Sequence, residues 1–196
     1  MKIAILASGR GSNAKAIFGR AKRGGYKNAE FVALISDKPD APALQIAKDF
    51  GVKALYLDTK KTGARFSEEG ANDYISALKS LGADMVVLAG FMKILPAEFV
   101  SAFENRIINL HPSLLPAFKG KDAIKQAFDF GAKVCGCTVH FVDNKLDGGE
   151  IIAQKAVYIL PEYDLCALEE KVHEAEHELL PQVVADVCEG KIKIGK

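Results

Sequence analysis

The chain has 196 residues, the length of one domain with a sizeable hydrophobic core. Its 26 lysines and arginines balance 25 acidic residues, and the net charge of +1 argues against a surface that coats nucleic acid. No apolar run approaches the ~20 residues of a membrane span, and the chain starts with a strand pattern rather than a signal sequence. The four cysteines lack metal-type pair spacing and are interpreted as reduced thiols. We therefore expect a cytoplasmic enzyme or binding protein without nucleic-acid or membrane partners.

Strand and helix patterns alternate along the first 110 residues. Short apolar runs predict strands over residues 2–7, 30–35, 52–57, 85–88 and 107–110. Helical patterns between them cover residues 12–23, 43–50, 67–81 and 96–103, with Ser67 as a cap. This alternation predicts βαβ units, and hence a parallel sheet with helices on both faces.

The pattern changes after Gly120. A helix over 121–130 is followed by two strand patterns, 136–142 and 151–159, joined by a loop short enough to make them antiparallel. Asp164 is expected to cap a long helix that Pro181 kinks or divides, and residues 191–196 to add a small edge strand. We predict a single domain over 1–196: an α/β, Rossmann-like, open and mostly parallel sheet with a mixed edge.

The segment IINLHPSLLPAFKG places Asn109 and His111 at the end of the fifth strand, before Pro112 stops it. Two residues apart on a pleated strand, their side chains are expected on the same side. An amide that donates to an oxyanion, beside an imidazole that carries a proton, is a plausible acyl-transfer pair. The alternative is an asparagine that caps a turn and a histidine bonded to the backbone.

A glycine-rich segment, SGRGSN, lies between the first strand and the first helix. Glycines allow close approach of the backbone, and a helix N-terminus offers free N–H groups to one phosphate. The motif lacks the third glycine of the dinucleotide fingerprint. The alternative is a tight turn with Ser12 as the helix N-cap.

A second loop, DNKLDGG, follows the strand predicted over 136–142 and carries Asp147 beside two glycines. Asp147 is able to approach His111, favour the charged imidazole and orient it. The alternative is a solvated hairpin loop in which Asp143 and Asn144 make the turn.

His173 and His177 match the zinc-protease pattern H-E-x-x-H on a predicted helix. The downstream context fails, because Leu180 and Val183 stand where the extended motif has glycine and histidine. The sequence therefore predicts no metal site here.

With these motifs in place, the chain resembles the folate-dependent glycinamide ribonucleotide formyltransferases of purine synthesis, nearly end to end. The resemblance is carried by ILASGRGSN, VVLAGFMKIL, INLHPSLLPAF, TVHFVDNKLDGG and EHELLP. It implies formyl transfer from 10-formyltetrahydrofolate to the amine of glycinamide ribonucleotide, by a monomer or weak homodimer without a metal.

The resemblance also assigns roles to residues. It implies contacts with the ribonucleotide, including its 5′-phosphate, for Gly11, Ser12, Asn13, His173 and Glu176. It implies a folate pocket lined by Met92, Lys93, Ile94, Leu95, Asn109, Val142, Asp143 and Asp147. The catalytic trio is Asn109, His111 and Asp147: the first two stabilise the oxyanion, and Asp147 supports the imidazolium and proton transfer.

The chain departs from the family pattern at Lys119 and Glu150, where prolines are usual, and the basic residue that helps hold the folate has no clear match beyond Arg65 nearby. Two alternatives remain: a formyltetrahydrofolate hydrolase, which would lack a phosphate cradle, and a non-catalytic nucleotide- or folate-binding module. A methionyl-tRNA formyltransferase would need a further domain and a more basic surface.

Overall fold

The computed structural model describes residues 1–61 and 63–195 and contains a seven-stranded sheet in the order β3-β2-β1-β4-β5-β6-β7. Its strands are β1 Lys2–Leu6, β2 Glu30–Ser36, β3 Ala54–Tyr56, β4 Met85–Leu88, β5 Ile107–His111, β6 Val134–Phe141 and β7 Ile151–Tyr158. Every pairing among β1 to β5 is parallel, whereas β6 pairs antiparallel with β5 and with β7. The predicted mostly parallel sheet with a mixed edge is confirmed.

Helices cover both faces of this sheet. They are α1 Ser12–Lys22, α2 Pro42–Asp49, α3 Glu68–Ser80, α4 Ala97–Ala102, α5 Ala123–Phe130 and α6 Leu165–Cys188. Along β1, Ile3 and Ile5 join a core cluster with residues of α1, α2 and α6, whereas Ala4 and Leu6 join a second cluster with residues of α3 and α4. Alternating side chains of a buried parallel strand therefore supply two cores, one on each face.

Both predicted side-chain caps are present. Ser67 Oγ accepts a hydrogen bond from Gly70 N at 3.0 Å, and Asp164 Oδ1 accepts one from Ala167 N at 2.8 Å. Each satisfies an N–H group that the first turn of its helix leaves without a partner.

Of the two outcomes predicted for Pro181, a kink or a division of the last helix, division was wrong, because α6 runs without interruption from Leu165 to Cys188. Proline removes one backbone hydrogen bond, but Leu180, Val183 and Val184 on either side of it are buried in the core cluster against the sheet. Packing of these residues holds the helix through the missing bond.

The predicted C-terminal edge strand was also wrong: residues 191–195 form no strand, and Lys196 lies outside the described residues. Gly195 N instead donates to Asn105 O at 2.9 Å, just before β5. Since β5 is paired on both sides by β4 and β6, the sheet offers no free edge at that point.

Within the described part of the chain, no helix combines the length and apolar character that a membrane span requires.

Candidate active site

The carboxyl ends of β1, β4 and β5 lie side by side in the sheet, and each leads into a segment that sequence analysis singled out. The strand order reverses at β1, which is flanked by β2 on one side and β4 on the other, so β1 marks the topological switch point of the sheet. Ligands of open α/β sheets bind at such a crevice. The fold therefore brings SGRGSN, residues 92–95 and the Asn109–His111 strand end to one edge.

Asn109, His111 and Asp147 come together at this edge, although Asp147 is distant in sequence. His111 Nδ1 lies 3.5 Å from Asp147 Oδ2, and both side chains are buried, with 6% and 8% of their surface exposed. Asp147 is therefore not part of a solvated hairpin turn.

The His111 ring also has a backbone partner, since its Nε2 lies 2.9 Å from the carbonyl oxygen of Phe118. Both ring nitrogens thus face acceptors, the Phe118 carbonyl and the Asp147 carboxylate. Only the charged imidazolium has a donor for each. The alternative, in which His111 bonds to the backbone, is therefore correct for Nε2, whereas Nδ1 faces the Asp147 carboxylate.

Asp147 also joins two loops. Its Oδ2 accepts a hydrogen bond from Gly120 N at 2.8 Å, and its backbone has a φ of 47°. Asp143, in contrast, makes the predicted turn, because its Oδ1 accepts from Lys145 N at 2.8 Å. The two aspartates of this loop therefore have different roles: Asp143 stabilises the turn, and Asp147 contacts His111.

A fourth member of this cluster, His140, was not predicted from the sequence. In the β5–β6 register it lies directly opposite Asn109, and its Nε2 is 3.1 Å from Asn109 Nδ2 and 3.8 Å from Asp147 Oδ1. Burial lowers the pKa of His140. The available signal was a histidine within the predicted antiparallel strand, but the register that sets it against Asn109 is not local in sequence.

The glycine-rich segment forms the entry to α1. Gly11 is the N-cap, with φ 74°, and a Cβ at this position would lie 2.7 Å from the Cα of Ala43 in α2. Ser12 is the first helical residue, and no side chain caps the helix, so the alternative with Ser12 as N-cap was wrong. The exposed Ser12 and the open helix end leave backbone N–H groups and a partial positive charge at the surface.

Asn13, His173 and Glu176 form a second cluster where α1 meets α6. Glu176 Oε2 accepts from Asn13 Nδ2 at 3.1 Å and lies 3.0 Å from His173 Nδ1. The hydrogen bond to Glu176 raises the pKa of His173. Asn13 Oδ1 is buried without a hydrogen-bond partner, so this oxygen is a free acceptor beside the entry of α1.

The H-E-x-x-H histidines stack rather than converge on a common point. The His173 and His177 rings lie 6.5 Å apart at an angle of 19°, and the Nδ1 of His173 is engaged by Glu176. Among residues 1–61 and 63–195, no group of three potential metal ligands is gathered.

The segment 92–95 leaves β4 and passes between two loops. Met92 N donates to Ser8 Oγ at 2.8 Å, and Ile94 N donates to Ala64 O at 2.7 Å. Met92 is 67% exposed and Ile94 44%, whereas Leu95 and Val142 both pack, partly buried, against the same core cluster. Exposed apolar side chains near buried polar ones, here those of His111 and Asp147, are typical of a ligand pocket.

Lys93 is tied down within the protein. Its Nζ donates to Gly63 O at 2.7 Å and lies 3.7 Å from Asp37 Oδ2, a carboxylate with 3% exposure. Arg65, exposed, forms a parallel bridge with Ile94 and so lies beside the segment.

The fold and this cluster define an α/β domain in which a half-buried amide lies with a buried imidazole and carboxylate at the sheet's carboxyl edge. The sequence profile described as formyl transferase matches residues 1–184, and the chain belongs to that family.

Named relatives support this assignment. The chain is 39% identical over 183 residues to phosphoribosylglycinamide formyltransferase of Bacillus subtilis (strain 168), covering 93% of this chain and 92% of that protein. It is 38% identical over 196 residues to the trifunctional purine biosynthetic protein adenosine-3 of Gallus gallus, but it spans only 19% of that protein's length. The crystal structure of glycinamide ribonucleotide transformylase 1 from Symbiobacterium toebii matches with a TM-score of 0.91 and 38% identity, over 100% of this chain and 91% of that one.

Proposed function

We propose that the chain acts as a single formyltransferase domain that transfers the formyl group of 10-formyltetrahydrofolate to the amine of glycinamide ribonucleotide, in purine biosynthesis. The observation that carries this proposal is the cluster of half-buried Asn109 with the buried His111 and Asp147 side chains, at the same edge of the sheet as the open N-terminus of α1. The named relatives agree, since the Bacillus protein is called a phosphoribosylglycinamide formyltransferase.

The ribonucleotide binds where the entry of α1 meets the middle of α6. Its 5′-phosphate accepts from the backbone N–H groups around Gly11, Ser12 and Asn13, where the helix dipole favours an anion. Its ribose lies toward Glu176 and His173, and the unpartnered Asn13 Oδ1 accepts a hydrogen bond from a substrate donor.

The folate binds on the other side of the trio. Its pterin lies between the backbone of Met92, Lys93, Ile94 and Leu95 and the wall formed by Val142 and Asp143. The exposed Met92 and Ile94 side chains supply apolar contact area. Exposed Arg65 is the nearby cation for the acidic tail, because the Lys93 ammonium is held by Gly63 and Asp37.

The reaction begins when the substrate amine attacks the formyl carbon. A new C–N bond forms, and the carbonyl oxygen becomes an oxyanion that a hydrogen of the Asn109 amide stabilises. The bond from the formyl carbon to N10 of the folate then breaks, and the proton lost by the amine passes to N10.

His111 and Asp147 stabilise this sequence through charge. In its imidazolium form His111, whose Nδ1 lies 3.5 Å from Asp147 Oδ2, adds positive charge beside the oxyanion, and Asp147 guides the proton through an ordered water. Donation by His111 Nε2 to the oxyanion requires release from the Phe118 carbonyl, 2.9 Å away. No step draws on a metal ion.

Two alternatives compete with this proposal. A formyltetrahydrofolate hydrolase shares the folate side and the trio but has no use for the α1 entry or for the Asn13–Glu176 pair. A non-catalytic binding module has no use for a carboxylate held against a buried histidine. We further propose a cytoplasmic monomer or weak homodimer without nucleic-acid or membrane partners.

The deciding experiment mixes the protein with 10-formyltetrahydrofolate, with and without glycinamide ribonucleotide, and follows tetrahydrofolate release and the formylated nucleotide. We expect one formylated nucleotide per folate released, and no release without the nucleotide. Release that ignores the nucleotide indicates the hydrolase, and binding of both ligands without release indicates the module.

A further inference from the structure

His140 is a buried imidazole that the proposed chemistry does not use. It is 2% exposed, and its two nitrogens face different partners: Nδ1 lies 2.7 Å from the Phe141 carbonyl oxygen, and Nε2 lies 3.1 Å from Asn109 Nδ2, nearer than Asp147 Oδ1 at 3.8 Å.

These two contacts determine the tautomer. A carbonyl oxygen only accepts hydrogen bonds, so Nδ1 carries the hydrogen. In the neutral ring the Nε2 lone pair is then free, and the Asn109 amide is the donor that faces it.

Burial, and His111 nearby, lower the pKa of His140, whereas the hydrogen bond to the Phe141 carbonyl, Asp147 and Asp143 raise it; the net effect is a lowered pKa. Charging the ring would place an N–H against the Asn109 amide donor and turn that amide around. Neutral His140 therefore holds the orientation in which Asn109 presents nitrogen rather than oxygen.

We propose that His140 is a positioning residue for Asn109. Its Nε2 lone pair accepts one amide hydrogen of Asn109 and thereby directs the other toward the oxyanion. This inference rests on the proposed function, because it assigns an orientation to the amide that stabilises the oxyanion.

The alternative is a core histidine that satisfies two polar groups and acts only on stability. Both accounts predict a less stable protein when the ring is replaced. They differ in whether the effect on turnover passes through Asn109, which is the basis of the test.

Two substitutions test the roles of the two His140 ring nitrogens separately. His140→Asn places an amide near the Nδ1 position and keeps the Phe141 bond, whereas His140→Gln reaches the Nε2 position and keeps an acceptor for Asn109. We expect His140→Asn to lower kcat about 10- to 100-fold with the KM of both substrates nearly unchanged, a partial loss of an oxyanion donor. His140→Gln should retain at least about tenfold more kcat than His140→Asn.

A double-mutant cycle then asks whether the loss passes through Asn109. In an Asn109→Ala background, His140→Asn should lower kcat by less than about twofold, since the amide to be positioned is gone. The same fold loss in both backgrounds, or equal losses in the asparagine and glutamine variants, overturns the proposal. Thermal unfolding and ribonucleotide titration confirm that each variant is folded.

NMR of the unmodified protein provides a test that needs neither turnover nor a variant. With ¹⁵N-labelled histidine, His140 should be neutral with the hydrogen on Nδ1, and the Asn109 amide hydrogens should exchange slowly. A hydrogen on Nε2 overturns the inference even if formyl transfer is observed. Absence of formyl transfer, with the expected tautomer and slow exchange, counts against the proposed function and leaves the hydrogen-bond assignment standing.

Discussion

The parallel half of the sheet and its antiparallel edge build their shares of the site by different means. After β1, the site is formed by the backbone: Gly11 turns the chain into α1, and no side chain caps the N-terminus of that helix. At the edge, side chains from β5, β6 and the following loop are gathered, with Asn109 opposite His140 and His111 beside Asp147. The first arrangement depends on backbone space, and the second on strand register and charge.

The largest expected effect lies at the edge. His111→Ala and Asp147→Asn should each lower turnover by about 10²-fold or more, the size typical of lost acid–base or oxyanion assistance. Steady-state kinetics measures the loss, and calorimetric titration should find ribonucleotide binding preserved. Full activity in either variant would remove the assigned roles.

On the parallel side, the expected effect is on stability. Gly11→Ala should lower the free energy of unfolding by about 2–4 kcal/mol, because it combines an unfavourable positive φ with a clash against Ala43.

Gly24→Ala is the matched control for this change. Gly24 has φ 72° but nothing within 4 Å of an added Cβ, so its replacement should cost only about 1–2 kcal/mol. Urea unfolding compares the two. Equal losses would mean that the contact with α2 does not require glycine.

Ribonucleotide affinity distinguishes the contribution of the backbone from that of the side chains at the entry of α1. Asn13→Ala removes a buried donor to Glu176 and an unpartnered acceptor, and it should weaken ribonucleotide binding about tenfold, corresponding to one or two hydrogen bonds. Ser12→Ala, at an exposed position that offers its backbone N–H, should change the affinity less. A larger effect of Ser12→Ala would show that its hydroxyl, rather than the helix end, binds the phosphate.

The smallest expected effect is a pH dependence with opposite signs at two histidines of α6. The hydrogen bond to Glu176 raises the pKa of His173, opposed by its partial burial and by Arg10, whereas burial lowers the pKa of His177. The contribution of His173 to stability is therefore complete below its unfolded value of about 6.5 and is lost as pH rises through the raised pKa. The contribution of His177 is present above about 6.5 and is lost as pH falls through the lowered pKa.

Unfolding of His173→Gln and His177→Gln across pH 5 to 8 measures this contrast; the range brackets the ordinary histidine pKa of about 6.5. The stability difference from the unmodified protein should shrink with rising pH for His173→Gln and grow for His177→Gln. The same trend in both variants would contradict the assigned environments.

The predictions that came from local patterns were mostly right. The alternation of strands and helices indicated the parallel sheet, and the short loop before β7 indicated the antiparallel edge. The errors arose where packing overrode a local rule. Pro181 is held within α6 by its buried neighbours, and the tail after α6 meets a strand that already has two partners.

The sequence by itself determined the class of fold and the chemical types brought to the sheet's edge, because periodicity, glycine and proline act over a few residues. Tertiary structure alone decided the partners: Glu176 with Asn13 across 163 residues, and His140 with Asn109 across 31. Such pairs depend on strand register and helix packing, which are set by the burial of the whole core and are not encoded in any short segment.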